Sequence, residues 1–260
     1  MASEKYTKKI YDKFGKEYQR TRDEKYPSRA YNEFYELPSM VKAVGNIKGK
    51  KLLDIGCGAG VHVKKYMTKG AKCQGMDISK TMIELAKEKC PRAEFKVGTM
   101  TKLPYKNNQF DIVTSSLAIN YVKDLKKAFL EINRVLKKNG LFYFSAESPV
   151  SYYRERHVDK NTKISAVGYI KNKKTGKELI LGEGWPMQKY QEFDMVPGMT
   201  IKDYRRSLRN IIQTLVKTNF ELIDIIDCRA TTQFKRISPE GYARVEKFPL
   251  FSIYVTRKKK

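Results

Sequence analysis

Leu52-Leu53-Asp54-Ile55-Gly56-Cys57-Gly58-Ala59-Gly60 is the stretch whose reading decides the fold. An apolar run entered from Lys50-Lys51 breaks into glycines at every second position. It reads as a buried strand followed by a tight turn at its carboxyl end. Glycine lacks a Cβ, so such a turn can take positive φ and bring backbone N–H groups close to a ligand. A helix starting directly afterwards aims its N-terminal amides at the same point. Asp54 interrupts an otherwise apolar strand, where a buried carboxylate needs a hydrogen-bond partner. These residues describe a nucleotide-type pocket.

The chain beyond repeats a strand–helix rhythm. The pattern predicts a helix over 61–69 ended by Gly70, then a strand over 71–76 with Asp77 at its carboxyl end. Asp77 lies about twenty residues past the glycines, where such folds place a carboxylate on ribose hydroxyls. Ser79 is the N-cap of a helix over 80–89 that Cys90-Pro91 terminates. Strands follow over 94–97 and 110–115, the first leading into Gly98-Thr99-Met100 and the second ending at Ser115-Ser116-Leu117. Asp124 caps a helix with Leu125, Ala128, Phe129, Ile132, Val135 and Leu136 on one face. Asn139-Gly140 is read as its stop, and 141–145 as a fifth strand. Alternation of this kind specifies an α/β fold with a doubly wound, Rossmann-like sheet.

Spacing separates the candidate nucleotides. The dinucleotide fingerprint G-x-G-x-x-G needs a glycine at position 61, where this chain has Val61, and no Gly-Lys-Ser/Thr follows to make a P-loop. The glycine loop, Asp77, the Gly98-Thr99-Met100 turn and the Ser115-Ser116 strand end make four points in one order. Here the chain resembles the class I S-adenosylmethionine-dependent methyltransferases, in particular the ubiquinone-biosynthesis-type and other small-molecule enzymes. Residues 53–60 are close to that family's first motif, and Arg134-Val135-Leu136-Lys137-Lys138-Asn139-Gly140 is similar to its R-V-L-K-P-G-G. The likeness spans about residues 45–147 and is weaker through the N-terminal helices. It implies S-adenosyl-L-methionine as cofactor, with Gly56, Gly58 and Gly60 near its methionine part and Asp77 on the ribose. Ile78 and Met100 would flank the adenine, with Thr99 near the exocyclic amine. It also implies a seven-stranded sheet whose last strand is antiparallel and lies between the fifth and sixth. Two positions depart from the family: Thr99 stands where Asp is frequent, and Asn120 where His is frequent.

The flanks are read for the acceptor. Residues 1–45 form an N-terminal helical lid, cut into short helices by Pro27 and Pro38, with Tyr11, Phe14 and Tyr18 along one face. These aromatics either dock the segment or, with Arg22, reach cofactor and substrate. Residues 46–149 and 200–260 form the core, and 150–199 an insertion over the reactive end of the pocket. Within it, 164–171 and 178–181 read as a hairpin around Lys173-Lys174-Thr175-Gly176. A helix capped by Thr200, a strand over 220–227, a short helix from Ser238-Pro239-Glu240 and a strand over 251–256 complete the chain. The site reading therefore holds Arg22, Asp54, Gly56, Gly58, Gly60, Asp77, Ile78, Thr99, Met100 and Ser116.

No catalytic base is assigned. Methyl transfer asks the protein chiefly for orientation and a dry site, because the sulfonium already activates the methyl group. His62, His157, Tyr152, Tyr153 and Trp185 each have a structural reading beside a functional one. Cys57, Cys73, Cys90 and Cys228 show neither C-x-x-C nor metal-ligand spacing. No run is long and apolar enough to span a bilayer, and the expected location is cytoplasmic. The net charge of +25 is carried mostly by lysine and spread along the whole chain. Solvated lysine faces account for it better than a nucleic-acid patch concentrated on one element. The reading is methyl transfer to a small-molecule acceptor. The alternatives are a tRNA-type RNA methyltransferase, motivated by the charge and Thr21-Arg22, and a cofactor-binding domain without turnover.

Overall fold

The chain enters through a long helix, α1 (Ala2–Asp23), and a π-helical turn (Asn32–Glu36) that runs on into α2 (Leu37–Val44). The core then alternates: β1 (Lys51–Ile55), α3 (Val61–Thr68), β2 (Lys72–Asp77), α4 (Lys80–Lys89), β3 (Glu94–Val97), β4 (Phe110–Ser115), α5 (Leu125–Val135) and β5 (Leu136–Glu147). Short strands follow as β6 (Arg156–His157), β7 (Lys163–Ile164), β8 (Gly168–Lys171), β9 (Glu178–Leu181), β10 (Tyr190–Asp194) and β11 (Thr200–Tyr204). The chain closes with α6 (Leu208–Lys217), β12 (Phe220–Asp227), α7 (Thr232–Ile237), α8 (Pro239–Lys247) and β13 (Phe251–Lys258). This computed structural model describes residues 2–24, 26, 29–148, 156–157, 163–164, 168–171, 178–181, 190–194, 196–204 and 206–259.

Seven strands form one sheet in the order β12-β13-β5-β4-β1-β2-β3. β1, β2, β3, β4 and β5 pair in parallel, and β13 runs antiparallel to both β5 and β12. The sheet is the doubly wound, Rossmann-like one expected, with its last strand reversed between the fifth and sixth. Successive windings leave β1 in opposite directions, toward β2 and toward β4. The crevice at the carboxyl ends of β1 and β4 is therefore the topological switch point where open α/β sheets hold ligands.

Strand alternation sorts the core into two layers. Phe142 and Phe144 face α5 and α6 with Phe129, Phe220 and Tyr254, while Tyr143 faces α2 and α3. Phe144 and Tyr254 stack at 4.7 Å across the antiparallel β5–β13 pair. Gly75 is one place where only glycine fits: a Cβ there would stand 2.5 Å from the Phe95 ring on the neighbouring strand.

Several boundaries differ from the sequence reading. The helix after Asp124 ends at Val135, and Leu136 already pairs with Phe110 on β4. Asn139, at φ +61°, turns inside an irregular strand instead of stopping a helix. Thr200 opens strand β11 instead of capping a helix. Ile201 and Asp203 are buried between half-exposed neighbours, a two-residue period, and the cap is Ser207, whose hydroxyl accepts Asn210 N at 3.1 Å. α1 is one continuous helix, and Pro38 sits in the first turn of α2, where its missing N–H costs no bond. β8 and β9 make the expected hairpin, although Ile164 belongs to β7, paired with β6. The predicted turn Lys173-Lys174-Thr175-Gly176 lies outside the described residues, as does Pro27.

Candidate active site

The end of β1 is tied to β2 before any side chain acts. Gly56 N and Cys57 N both donate to Met76 O, at 2.7 and 3.0 Å, which folds the loop over the switch point. Gly56, Gly58 and Gly60 have φ of +71°, +52° and +78°, so all three use the freedom glycine alone has cheaply. Their surroundings differ. A Cβ on Gly56 would meet the Ala118 Cβ at 2.5 Å, whereas one on Gly58 would meet nothing within 4 Å. Gly60 packs against Ala86 of α4 and starts α3. Gly56→Ala combines left-handed strain with that collision. It is expected to cost about 1–3 kcal/mol of stability, read as a lower urea midpoint, and to weaken ligand binding at the loop.

Asp77, at the carboxyl end of β2, holds the loop in place. Its Oδ2 accepts Gly58 N and its Oδ1 accepts Ser79 N, both at 2.9 Å. Burial pushes this carboxyl up, and those backbone donors pull it back. Asp54 is a different case. It is buried in the sheet, accepts Thr114 Oγ1 at 2.7 Å, and is raised by burial to about 6.

Above the loop lies a cavity of about 760 Å³. Of the residues singled out in the sequence, Arg22, Gly56, Gly58, Asp77, Ile78, Thr99, Met100 and Ser116 line it, and Asp54 and Gly60 do not. Cys57 also lines it, but burial holds its thiol well above the ordinary range. Asn120, where the family frequently has His, is in the wall too.

Helix α1 roofs one end. Asp12 Oδ1 accepts Ser79 Oγ at 2.7 Å and Lys80 N at 2.8 Å, so α1 docks on the start of α4. Tyr18 packs with Met82, Met199 and Ile201, with Tyr11 and Phe14 beside them. The aromatics thus dock the segment, and Tyr11 and Tyr18 also line the cavity.

The wall includes groups the sequence did not single out: Glu4, Arg29, Glu36 and Arg244. Glu36, at the end of the π-helical turn, is buried with its Oε2 2.9 Å from His62 Nε2. Its Oε1 accepts Ser145 Oγ at 2.6 Å, and Ser145 Oγ accepts Leu117 N at 2.9 Å. Leu117 has φ +50°, so this chain of bonds holds the loop after β4 in a strained form. Burial would push Glu36 up, but His62 and Ser145 hold it below its ordinary value. His62 is correspondingly raised, the Glu36 carboxylate outweighing burial. A single acid in the run Phe34-Tyr35-Glu36-Leu37 was the available signal, the same one Asp54 gives. Arg22 donates from Nε to Glu33 at 2.6 Å while lining the cavity. His157 falls on β6, while Tyr152, Tyr153 and Trp185 lie outside the described residues.

The comparisons agree with this geometry. Residues 53–144 match the family model of a methyltransferase domain. An uncharacterized protein of Haemophilus influenzae is 31% identical over 206 residues, 74% of this chain and 75% of that one. The demethylmenaquinone methyltransferase of Renibacterium salmoninarum is 36% identical over 101 residues, 39% of this chain and 43% of that enzyme. Among solved structures, an S-adenosylmethionine-dependent methyltransferase from Mesorhizobium loti superposes with a TM-score of 0.66 at 22% identity, over 85% of this chain and 96% of that one. With its motif, its reversed seventh strand and its loop over the switch point, this chain belongs to the class I S-adenosylmethionine-dependent methyltransferases.

Proposed function

We propose that this enzyme transfers the methyl group of S-adenosyl-L-methionine to a small-molecule acceptor held with it beneath α1. The observation that carries this is the cavity, whose volume of about 760 Å³ lies in the range of small-molecule sites and which α1 roofs at one end. The residues present fit the cofactor. A carboxylate at the end of β2 is placed for ribose hydroxyls, open backbone at Gly58 for the methionine part, and Ile78 and Met100 for a flat base. Ser116, Thr99 and Arg22 complete the wall around it. Asp54 and Gly60 serve one step back, as supports of the strand and loop.

The bound cofactor supplies a methyl group already activated by its sulfonium. What the chain's own residues add is orientation and exclusion of water. Tyr11 and Tyr121, hydroxyls 3.4 Å apart, are both raised by burial. At neutral pH they stay protonated and orient by donating, not by taking a proton. His62 is engaged with Glu36 and is not a free base. In this division, residues 1–45 are the lid and 46–149 with 200–260 the core, and 150–199 completes the acceptor end. The β10–β11 hairpin, whose Thr200 O accepts the Tyr6 hydroxyl at 2.8 Å, links insertion to lid.

The test is release of S-adenosylhomocysteine from S-adenosylmethionine with separated cell fractions. Turnover is expected with the protein-free, RNA-free metabolite fraction. Turnover with RNA alone, weakening steeply as salt rises, would replace this reading with the RNA one. Cofactor binding without turnover in either fraction would leave a binding domain.

A further inference from the structure

The carboxylate of Glu4, on the first turns of α1, takes two hydroxyls from the loop after β3. Thr99 Oγ1 donates to Glu4 Oε1 at 2.8 Å and Thr101 Oγ1 donates to the same oxygen at 3.1 Å. Glu4 and Thr99 both line the cavity, next to Ile78 and Met100. A carboxylate is acceptor only, and both hydroxyls fall on Oε1, so Oε2 carries neither of them. Ribose hydroxyls at Asp77 would put the attached base on the far side of the sugar, toward β3, in the apolar slot between Ile78 and Met100. The polar edge of that slot is then Thr99 with Glu4 behind it. Thr99 donates its hydroxyl hydrogen bond to Glu4, which leaves the carboxylate as the strong acceptor at that edge.

We propose that Glu4 reads the exocyclic amine of adenine, so that the lid helix itself selects an adenosyl cofactor. The inference rests on the cofactor placement proposed above. A 6-amino purine offers a donor to the carboxylate, whereas a 6-oxo purine offers an acceptor and meets it acceptor to acceptor. The same contact ties lid closure to the base: α1 is held at Asp12 by α4 and at Glu4 by the base and the β3 loop.

The test is calorimetric titration with S-adenosylhomocysteine and with S-inosylhomocysteine, in which oxygen replaces that amine and the adjoining N1 carries a proton. The unaltered protein is expected to prefer the adenosyl ligand by about ten-fold or more, the scale of one charge-assisted hydrogen bond. Glu4→Gln should bind the adenosyl ligand about ten-fold more weakly and lose the preference, since its amide can donate to the oxo group. Glu17→Gln, on the exposed side of the same helix, should change neither. Binding of both ligands with a preference that survives in Glu4→Gln would overturn the role of Glu4 alone. Binding of neither ligand to the unaltered protein would instead overturn the cofactor placement beneath it.

Discussion

Asp77→Asn is expected to weaken S-adenosylhomocysteine binding about ten- to a hundred-fold while leaving the fold intact. The side chain uses both oxygens on backbone donors, Gly58 N and Ser79 N, each at 2.9 Å. An asparagine of the same shape keeps one acceptor and turns an NH2 toward the other donor. One buried N–H then loses its partner and faces a second donor, a penalty of about 1–3 kcal/mol. The Gly58 side can give way, because nothing crowds that residue, whereas Ser79 is fixed as the cap of α4. The strain therefore moves the glycine loop and spoils the surface that meets the ligand. A ligand carrying ribose hydroxyls also loses the charge on its acceptor. Calorimetry beside a urea midpoint separates the two effects. A dissociation constant within two-fold of the original would show that Asp77 neither meets the ribose nor sets the loop.

Asp54 and Asp77 show how far sequence reading reaches at this site. Both are acids at carboxyl ends of apolar strands in the first half of the core, and both invite a role in ligand binding. The pleat does not distinguish them, since the β1–β2 register puts both on one face. Position along the strand does: Asp77 ends β2 and lines the cavity, whereas Asp54 lies one residue inside the end of β1, buried against Thr114. The α/β alternation and the loop were legible because they depend on neighbours within a few residues. Glu36 and Glu4 were not, because their partners lie 26 and 95 residues away and no local period records them. The reading of Thr200 as a helix cap failed for a related reason. Ile201 fits the helical stripe of Ile211 and Leu215, but pairing with β10 claimed it first. Charge was the least informative property. Arg20 answers Glu17 and Glu24 along one helix, and Lys137 answers Asp111, so part of the basic content closes local pairs.

The largest effect on stability is expected at Glu36. Removing one member of a buried ion pair strands the other and costs about 3–5 kcal/mol, and Glu36→Ala also leaves Ser145 without its acceptor. The pH dependence identifies the pair as the cause. Glu36 lies below its ordinary 4.5 in the fold, so its contribution is complete above that value and is lost as pH falls through the lowered one. His62 lies above its ordinary 6.5, so its contribution is complete below that value and is lost as pH rises through the raised one. The advantage of the unaltered protein over the variant should therefore be greatest between 4.5 and 6.5 and decline on both sides. Asp54 adds a background of opposite slope: its raised value, about 6, makes the fold lose stability as pH climbs from 3.8 toward that point. Because Asp54 is present in both proteins, comparing them removes most of that slope. Glu36→Gln keeps the shape and the Ser145 bond but not the charge, which guards against a variant too weak to fold. Its deficit should follow the same bell with smaller height. A deficit independent of pH in both variants would mean that Glu36 acts by filling space, and that His62 carries no charge when paired with it.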